Sequence, residues 1–428
     1  VTPPAAPDPA ASASPPAASG PPPATPGPAA SGPPPGAPGP LTGLRVLDLS
    51  RLLPGGYCTL LLADLGADVL KVEQPGKGDY LRWMPPYAAN GEGAMHLALN
   101  RGKRSLTLDL KLSQARDLLR ELVRESDVLV ESFRPGVMDR LGVGWEVLSG
   151  DNERLVYAAI SGYGADGPYA PRAGHDINYL GYAGALSFSG HPDTGPWQPG
   201  LQIGDLGGGG LMAAVAILAA LRVRDATGTG QFCDVSMTDG VLSWLTLAAG
   251  AFAATGVPPG VGTETLNGGL ACYGVYRCGD GRHLTVGALE PQFFAALCAA
   301  LDVPDLAGWH LDPARQRELR ARLEAVFATR SRDEWLAVLV PADCCVGPVN
   351  DLAEAYADPQ VRARGMVTTQ PLADGTPFAQ VGVVPRLAAT PGRVGAPASP
   401  LGADTDAVLA ALGRTPDEVA ALRAAGVV

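Results

Sequence analysis

A strand, a helix and a second strand packed into residues 44–72 narrow the fold more than any other feature of the chain. Leu44-Arg45-Val46-Leu47-Asp48-Leu49 reads as a short buried strand lying between Gly43 and a turn at Pro54-Gly55-Gly56. A helix over 57–65 is ended by Gly66, and Asp68-Val69-Leu70-Lys71-Val72 is the next strand. Strands joined through a helix run parallel. The alternation continues with strands over 105–110, 127–131, 155–160 and 231–235 and a helix over 113–124, so an α/β fold with a Rossmann-like large domain is expected. The first turn has no GxGxxG pattern. The match at Gly162-Tyr163-Gly164-Ala165-Asp166-Gly167 runs into Pro168-Tyr169-Ala170-Pro171, an extended loop rather than a helix, so a dinucleotide is not the natural ligand.

Two stretches carry acid/base groups. Gly174-His175-Asp176 precedes the run Ile177-Asn178-Tyr179-Leu180-Gly181-Tyr182, and Gly204-Asp205 precedes Leu206 and a helix over 211–221. Helix N-termini expose unpaired N–H groups and a partial positive charge, which hold anions and stabilise a developing enolate oxygen. That chemistry suits an acyl-carbonyl substrate. Asp176 and Asp205 equally fit the plainer role of N-caps. His175 is less ordinary, because it is one of five histidines and stands between a glycine and an acid rather than inside an apolar stripe. Upstream, Phe133-Arg134-Pro135-Gly136-Val137-Met138-Asp139-Arg140 sets two arginines around a helical turn opened by Pro135, an arrangement that either grips phosphates or is simply solvated.

Composition excludes several classes. A net charge of -11 argues against nucleic-acid and anionic-membrane partners. Seven cysteines with no CxxC read as reduced thiols of a cytoplasmic protein, with no metal framework. The apolar runs over 206–221 and 241–254 fall short of the ~20 residues that cross a bilayer and are expected to be core helices, the second a single helix over 239–254. Residues 1–40 hold 16 prolines, no Lys or Arg and one acid, the composition of a disordered, partly polyproline-II tail rather than a basic targeting leader. Beyond a glycine- and proline-rich linker over 256–269, a hairpin over 271–287 and helices over 293–301, 313–329 and 332–338 suggest a second, smaller unit.

On these residues the chain resembles the family III CoA-transferases and, within them, the alpha-methylacyl-CoA racemases, from about Leu41 to Val428. The resemblance rests on Leu41-Thr42-Gly43-Leu44-Arg45-Val46-Leu47-Asp48-Leu49, Ala63-Asp64-Leu65-Gly66-Ala67-Asp68-Val69, Phe133-Arg134-Pro135-Gly136-Val137, Ala173-Gly174-His175-Asp176-Ile177-Asn178-Tyr179, Gly204-Asp205-Leu206-Gly207-Gly208-Gly209 and Gly287-Ala288-Leu289-Glu290-Pro291-Gln292. It implies an interlocked homodimer with active sites between subunits. Each chain would have a tail over 1–40, a large Rossmann-like CoA-binding domain over 41–236 completed by 370–428, a linker helix and loop over 237–271, a small α+β domain over 272–346 and a return linker over 347–369.

The same resemblance implies the roles. The groups at His175 and Asp205 are the two acid/base residues of a racemase, Glu290 orients the histidine, and the backbone N–H of Asp176 holds the thioester oxygen. Arg134 and Arg140 match positions that meet CoA phosphates, and Leu108 and Lys111 match the adenine-side wall. Gln74 stands where some racemases carry an arginine. The activity so implied is inversion at Cα of 2-methyl-branched acyl-CoA through an enolate, with coenzyme A as part of the substrate and no metal or redox cofactor. CoA transfer through an aspartyl intermediate at Asp176 is the alternative.

Overall fold

The structure, a computed structural model, describes residues 38–372 and 374–428, so the expected tail lies outside the described residues up to position 37. Six strands, β1 (Arg45–Asp48), β2 (Asp68–Glu73), β3 (Lys103–Thr107), β4 (Val128–Glu131), β5 (Val156–Ser161) and β6 (Phe232–Ser236), form one sheet in the order β3-β2-β1-β4-β5-β6. Every pairing is parallel. This is the doubly wound order, with the change of direction between β1 and β4. The strands are apolar almost throughout because both faces of the sheet are covered. Helices Leu52–Asp64 and Met212–Thr227 cover one face around Val46, Val128 and Val156. Helix Ser113–Arg124 and the two last helices, Thr405–Ala411 and Pro416–Ala424, cover the other around Leu106, Leu119 and Leu129.

A three-stranded antiparallel sheet, Val346–Pro348 beside His283–Gly287 beside Tyr273–Arg277, carries the smaller core. Phe327 packs on its Tyr276 and Trp335 on Phe327, and Phe294 from a third helix belongs to the same core. The stretch expected as a plain return linker contains two short helices, Leu352–Ala357 and Pro359–Ala363. Asp351 and Asp358 cap them by accepting backbone N–H groups, a local signal that the linker reading overlooked.

Three other expectations are corrected. Pro54-Gly55-Gly56 is no turn: the helix starts at Leu52 and takes these residues into its first turns, where proline costs no hydrogen bond. The helix expected over 211–221 begins at Gly204 with a π-helical segment, Gly204–Leu211, and runs on to Thr227, so Asp205 sits inside the first turn instead of capping it. At 24 residues, Gly204–Thr227 is also long and apolar enough to cross a bilayer, contrary to the expected short run; here its buried side packs on the sheet. The single helix expected over 239–254 is a pair, Met237–Trp244 and Thr246–Thr255, bent by 63°. Neither apolar stretch is fully covered. Thr246–Thr255 buries none of its residues, Leu247 is 81% exposed, and Leu211, Val215 and Leu218 form an open stripe on the longer helix.

Charges are buried together where Asp48 ends β1, Lys71 crosses the middle of β2 and Lys103 begins β3. Asp48 is fully buried and accepts from the Ser50 backbone N–H at 2.9 Å, Thr59 Oγ1 at 2.6 Å and Lys103 Nζ at 3.2 Å. Lys71 Nζ lies 3.8 Å from Asp48 and 3.1 Å from Asp79. Burial pushes the Asp48 carboxyl up, but Lys71, Lys103 and the two hydroxyls pull it further the other way, to about 2. The stabilisation this provides is present above the ordinary carboxylate range and is lost as pH falls toward about 2. Asp48→Asn leaves two buried lysines short of their counter-charge, and should lower stability in urea unfolding by about 3–5 kcal/mol.

Candidate active site

The helix Asp176–Tyr182 begins on the loop that follows β5, with His175 as its N-cap in extended conformation. The His175 backbone N–H donates to Asn178 Oδ1 at 3.0 Å, which fixes the first turn, while its side chain is exposed. Asp176 is the first helical residue, so its N–H is one of the unpaired donors at the positive end. Tyr179 holds the loop from behind: its hydroxyl donates to the Gly174 carbonyl at 2.6 Å. Its ring stacks edge-on against Tyr163 at 5.3 Å. Gly174 is required here, because a Cβ would come within 2.6 Å of the Tyr179 ring and 2.8 Å of the Tyr163 hydroxyl.

The π-helical segment brings Asp205 to the same place. Its backbone N–H donates to Asp176 Oδ1 at 2.9 Å. Close approach of the neighbouring helices depends on the glycines at 207–210. A Cβ on Gly207 would strike the Trp244 ring, one on Gly208 would come 2.6 Å from the Met237 carbonyl, and one on Gly210 would come 2.6 Å from the Pro54 carbonyl. Burial first, and the Asp176 charge second, raise the Asp205 carboxyl to about 7. Burial and then the Asp205 charge push the Tyr179 phenol up to about 12, and Arg134 acts on it in the opposite sense. Arg134 therefore belongs to the same electrostatic neighbourhood.

A cavity of about 250 Å³ opens beyond the ends of β1–β4, lined by Arg51, Gln74, Leu108, Lys111, Phe133 and Val137. Gln74, Leu108 and Lys111, expected at a nucleotide wall, thus come together. Arg134 and Arg140 are exposed on the turn beside it, and neither forms an ion pair among the described residues. Pro135 does not open that turn. Gly136, at a φ of 78°, is the N-cap of helix Val137–Arg140, which a side chain at this conformation would strain. Arg51 escaped the sequence reading, although it directly follows the first strand in a doubly wound pattern, the usual place for a ligand contact. Its guanidinium lies 5.3 Å from the Phe133 ring and 5.6 Å from the Tyr80 ring, at one wall of the cavity.

Among the described residues no hydrogen bond joins Glu290 to His175 within one chain. Glu290 caps the small-domain helix Pro291–Ala300, is exposed, and is near enough to Cys345 for its charge to add to burial in pushing that thiol up.

The parallel doubly wound sheet, with two aspartates joined near two helix starts, is that of an α/β enzyme, and the chain belongs to CoA-transferase family III, whose model matches residues 41–405. It is 36% identical over 386 residues to the alpha-methylacyl-CoA racemase of Mus musculus, covering 89% of this chain and 95% of the relative. It is 35% identical to the succinyl-CoA:glutarate CoA-transferase of Mus musculus, covering 76% of each. A CaiB/BaiF family protein from Brucella suis superposes with a TM-score of 0.78 at 34% identity, over 87% of this chain and 99% of that one. Relatives of both kinds mean that membership alone leaves racemisation and CoA transfer as the two reactions. If Arg51 meets CoA, Arg51→Ala should weaken CoA binding about tenfold in calorimetric titration, the worth of one charge-assisted contact.

Proposed function

We propose that this protein is a racemase that inverts the α-carbon of 2-methyl-branched acyl-CoA esters by 1,1-proton transfer. The observation that carries the reading is the Asp205 carboxyl, raised to about 7 and held one hydrogen bond away from the helix start that bears His175. An α-proton of a thioester is too weakly acidic for an unaided histidine, so donors aimed at the developing enolate oxygen, worth ~3–4 kcal/mol each, are needed. The Asp176 N–H supplies one. His175 takes the proton from one face of Cα, protonated Asp205 delivers a proton to the other, and the roles reverse for the opposite epimer. The CoA moiety lies in the cavity of Arg51, Leu108 and Lys111, its phosphates met by Arg134 and Arg140. No resident cofactor takes part.

The working unit in this reading is a homodimer. The open apolar faces of Thr246–Thr255 and of the helix bearing Leu211, Val215 and Leu218 support it, since a monomer rarely leaves so much contiguous apolar surface in water. Across that interface, Glu290 of one copy orients His175 of the other. Sedimentation should find a dimer that persists at nanomolar concentration.

Transfer of CoA through an anhydride at Asp176 is the second reading, favoured by the half-buried carboxylate at that position and by relatives such as the Mus musculus transferase. The racemase reading expects deuterium uptake at Cα of a 2-methylacyl-CoA, lost in His175→Ala and in Asp205→Asn. Rates in the direction that needs protonated Asp205 should fall as pH rises above about 7. A hydroxylamine-trapped aspartyl adduct with no α-exchange in the unmutated protein would instead establish the transferase.

A further inference from the structure

The carboxylate of Asp176 has a partner that neither reaction asks for. Its Oδ1 accepts the Asp205 N–H at 2.9 Å, a first-turn donor with no carbonyl of its own helix to meet. The surroundings are fitted to this bond. Gly204 leaves out a Cβ that would stand 3.0 Å from the same oxygen and 3.6 Å from Tyr179 Cβ. Behind Asp176, the Tyr179 hydroxyl pins the loop at Gly174, so the carboxylate projects from a helix start that is itself anchored.

Two neighbouring helices meet the glycines of this segment with uncharged groups. Helix Leu52–Asp64 presents Pro54 and Tyr57 to Gly209 and Gly210, and helix Met237–Trp244 presents Met237, Val241 and Trp244 to the glycines at 207–209. Both Asp205 and Arg134 act electrostatically on the Tyr179 phenol, in opposite senses. Asp176 is the charged group that acts on Asp205 directly.

We propose that the Asp176 carboxylate is a positioning residue, tying the helix turn that bears Asp205 to the helix start that bears His175 and so fixing the spacing of the two acid/base groups. The inference rests on the racemase reading. In that reaction the carboxylate forms no bond to substrate. It keeps Asp205 at a set distance, and its negative charge, added to burial, helps to keep Asp205 protonated near neutral pH. The backbone N–H and the side chain of one residue then serve different partners: the substrate oxygen in one direction, the second acid/base group in the other.

Two variants separate the two duties. Asp176→Asn retains an Oδ1 acceptor and loses the charge, whereas Asp176→Ala loses both. Each is followed by α-deuterium exchange across the pH range and by carbon-13 NMR titration of aspartate carboxyls, with the Asp205 signal assigned by its disappearance in Asp205→Asn. In Asp176→Asn the Asp205 midpoint and the falling limb of kcat/KM should both move to lower pH, by about one unit. In Asp176→Ala kcat should fall between about tenfold and a hundredfold while KM for the CoA ester stays within about twofold, as a misplaced reacting group does. Equal kcat for the two variants, or an Asp205 midpoint that moves in neither, would overturn the proposal. Failure of the racemase reading looks different: the unmutated protein shows no α-exchange, and the NMR midpoints still decide whether Asp176 acts on Asp205.

Discussion

Asp48, buried between Lys71 and Lys103, is the interaction on which the ligand-facing end of the large domain depends. The cluster joins the end of β1, the middle of β2 and the start of β3, and its hydrogen bonds reach two helices: Lys103 Nζ donates to the Gly56 carbonyl at 3.0 Å, Thr59 Oγ1 at 2.7 Å and Asn100 Oδ1 at 2.9 Å. Such charges are costly to bury and stay only because nearly every donor and acceptor is paired. Arg51, Gln74 and Leu108 come after the C-terminal ends of β1, β2 and β3 and line one cavity.

The acid/base end is built by a different means, close packing without side chains. Glycines at 207–210 let the π-helical segment approach Pro54 on one neighbour and Met237 and Trp244 on another closer than any Cβ would permit. The first turn of any helix leaves backbone N–H groups without an intrahelical partner, and π-helical turns are frequent at functional sites. Here one of those donors is taken by Asp176, and the aspartate that follows Gly204 is carried into a half-buried position where its proton is held to about pH 7. Tyr179 joins the two halves, since its hydroxyl fixes the His175 loop and its phenol lies within the fields of Asp205 and Arg134.

Much of this was legible in the order of residues. The strand-helix-strand alternation from Arg45 onward led to a parallel sheet because the period of apolar residues and the turn glycines are local properties, and His175 and Asp176 stood out through their place before an apolar run. The family motifs supplied the rest of the candidate set. Helix limits were misjudged where glycine was taken as punctuation: Gly55, Gly56 and the run at 207–210 lie inside helices, since their purpose is contact with a neighbour that sequence spacing does not reveal.

What the sequence by itself determined is therefore the alternating α/β pattern, the absence of a dinucleotide loop and the residue types available for proton transfer, all of which follow from local periodicity and chemistry. Only the tertiary structure decided that Asp48 must sit between two lysines, that Arg51 joins Leu108 and Lys111 at one cavity, and that the Asp176 carboxylate binds the Asp205 backbone. Each of these joins residues distant along the chain. Their approach is set by how helices pack on the sheet, and burial, which alters the acidity of a group, arises only from that packing.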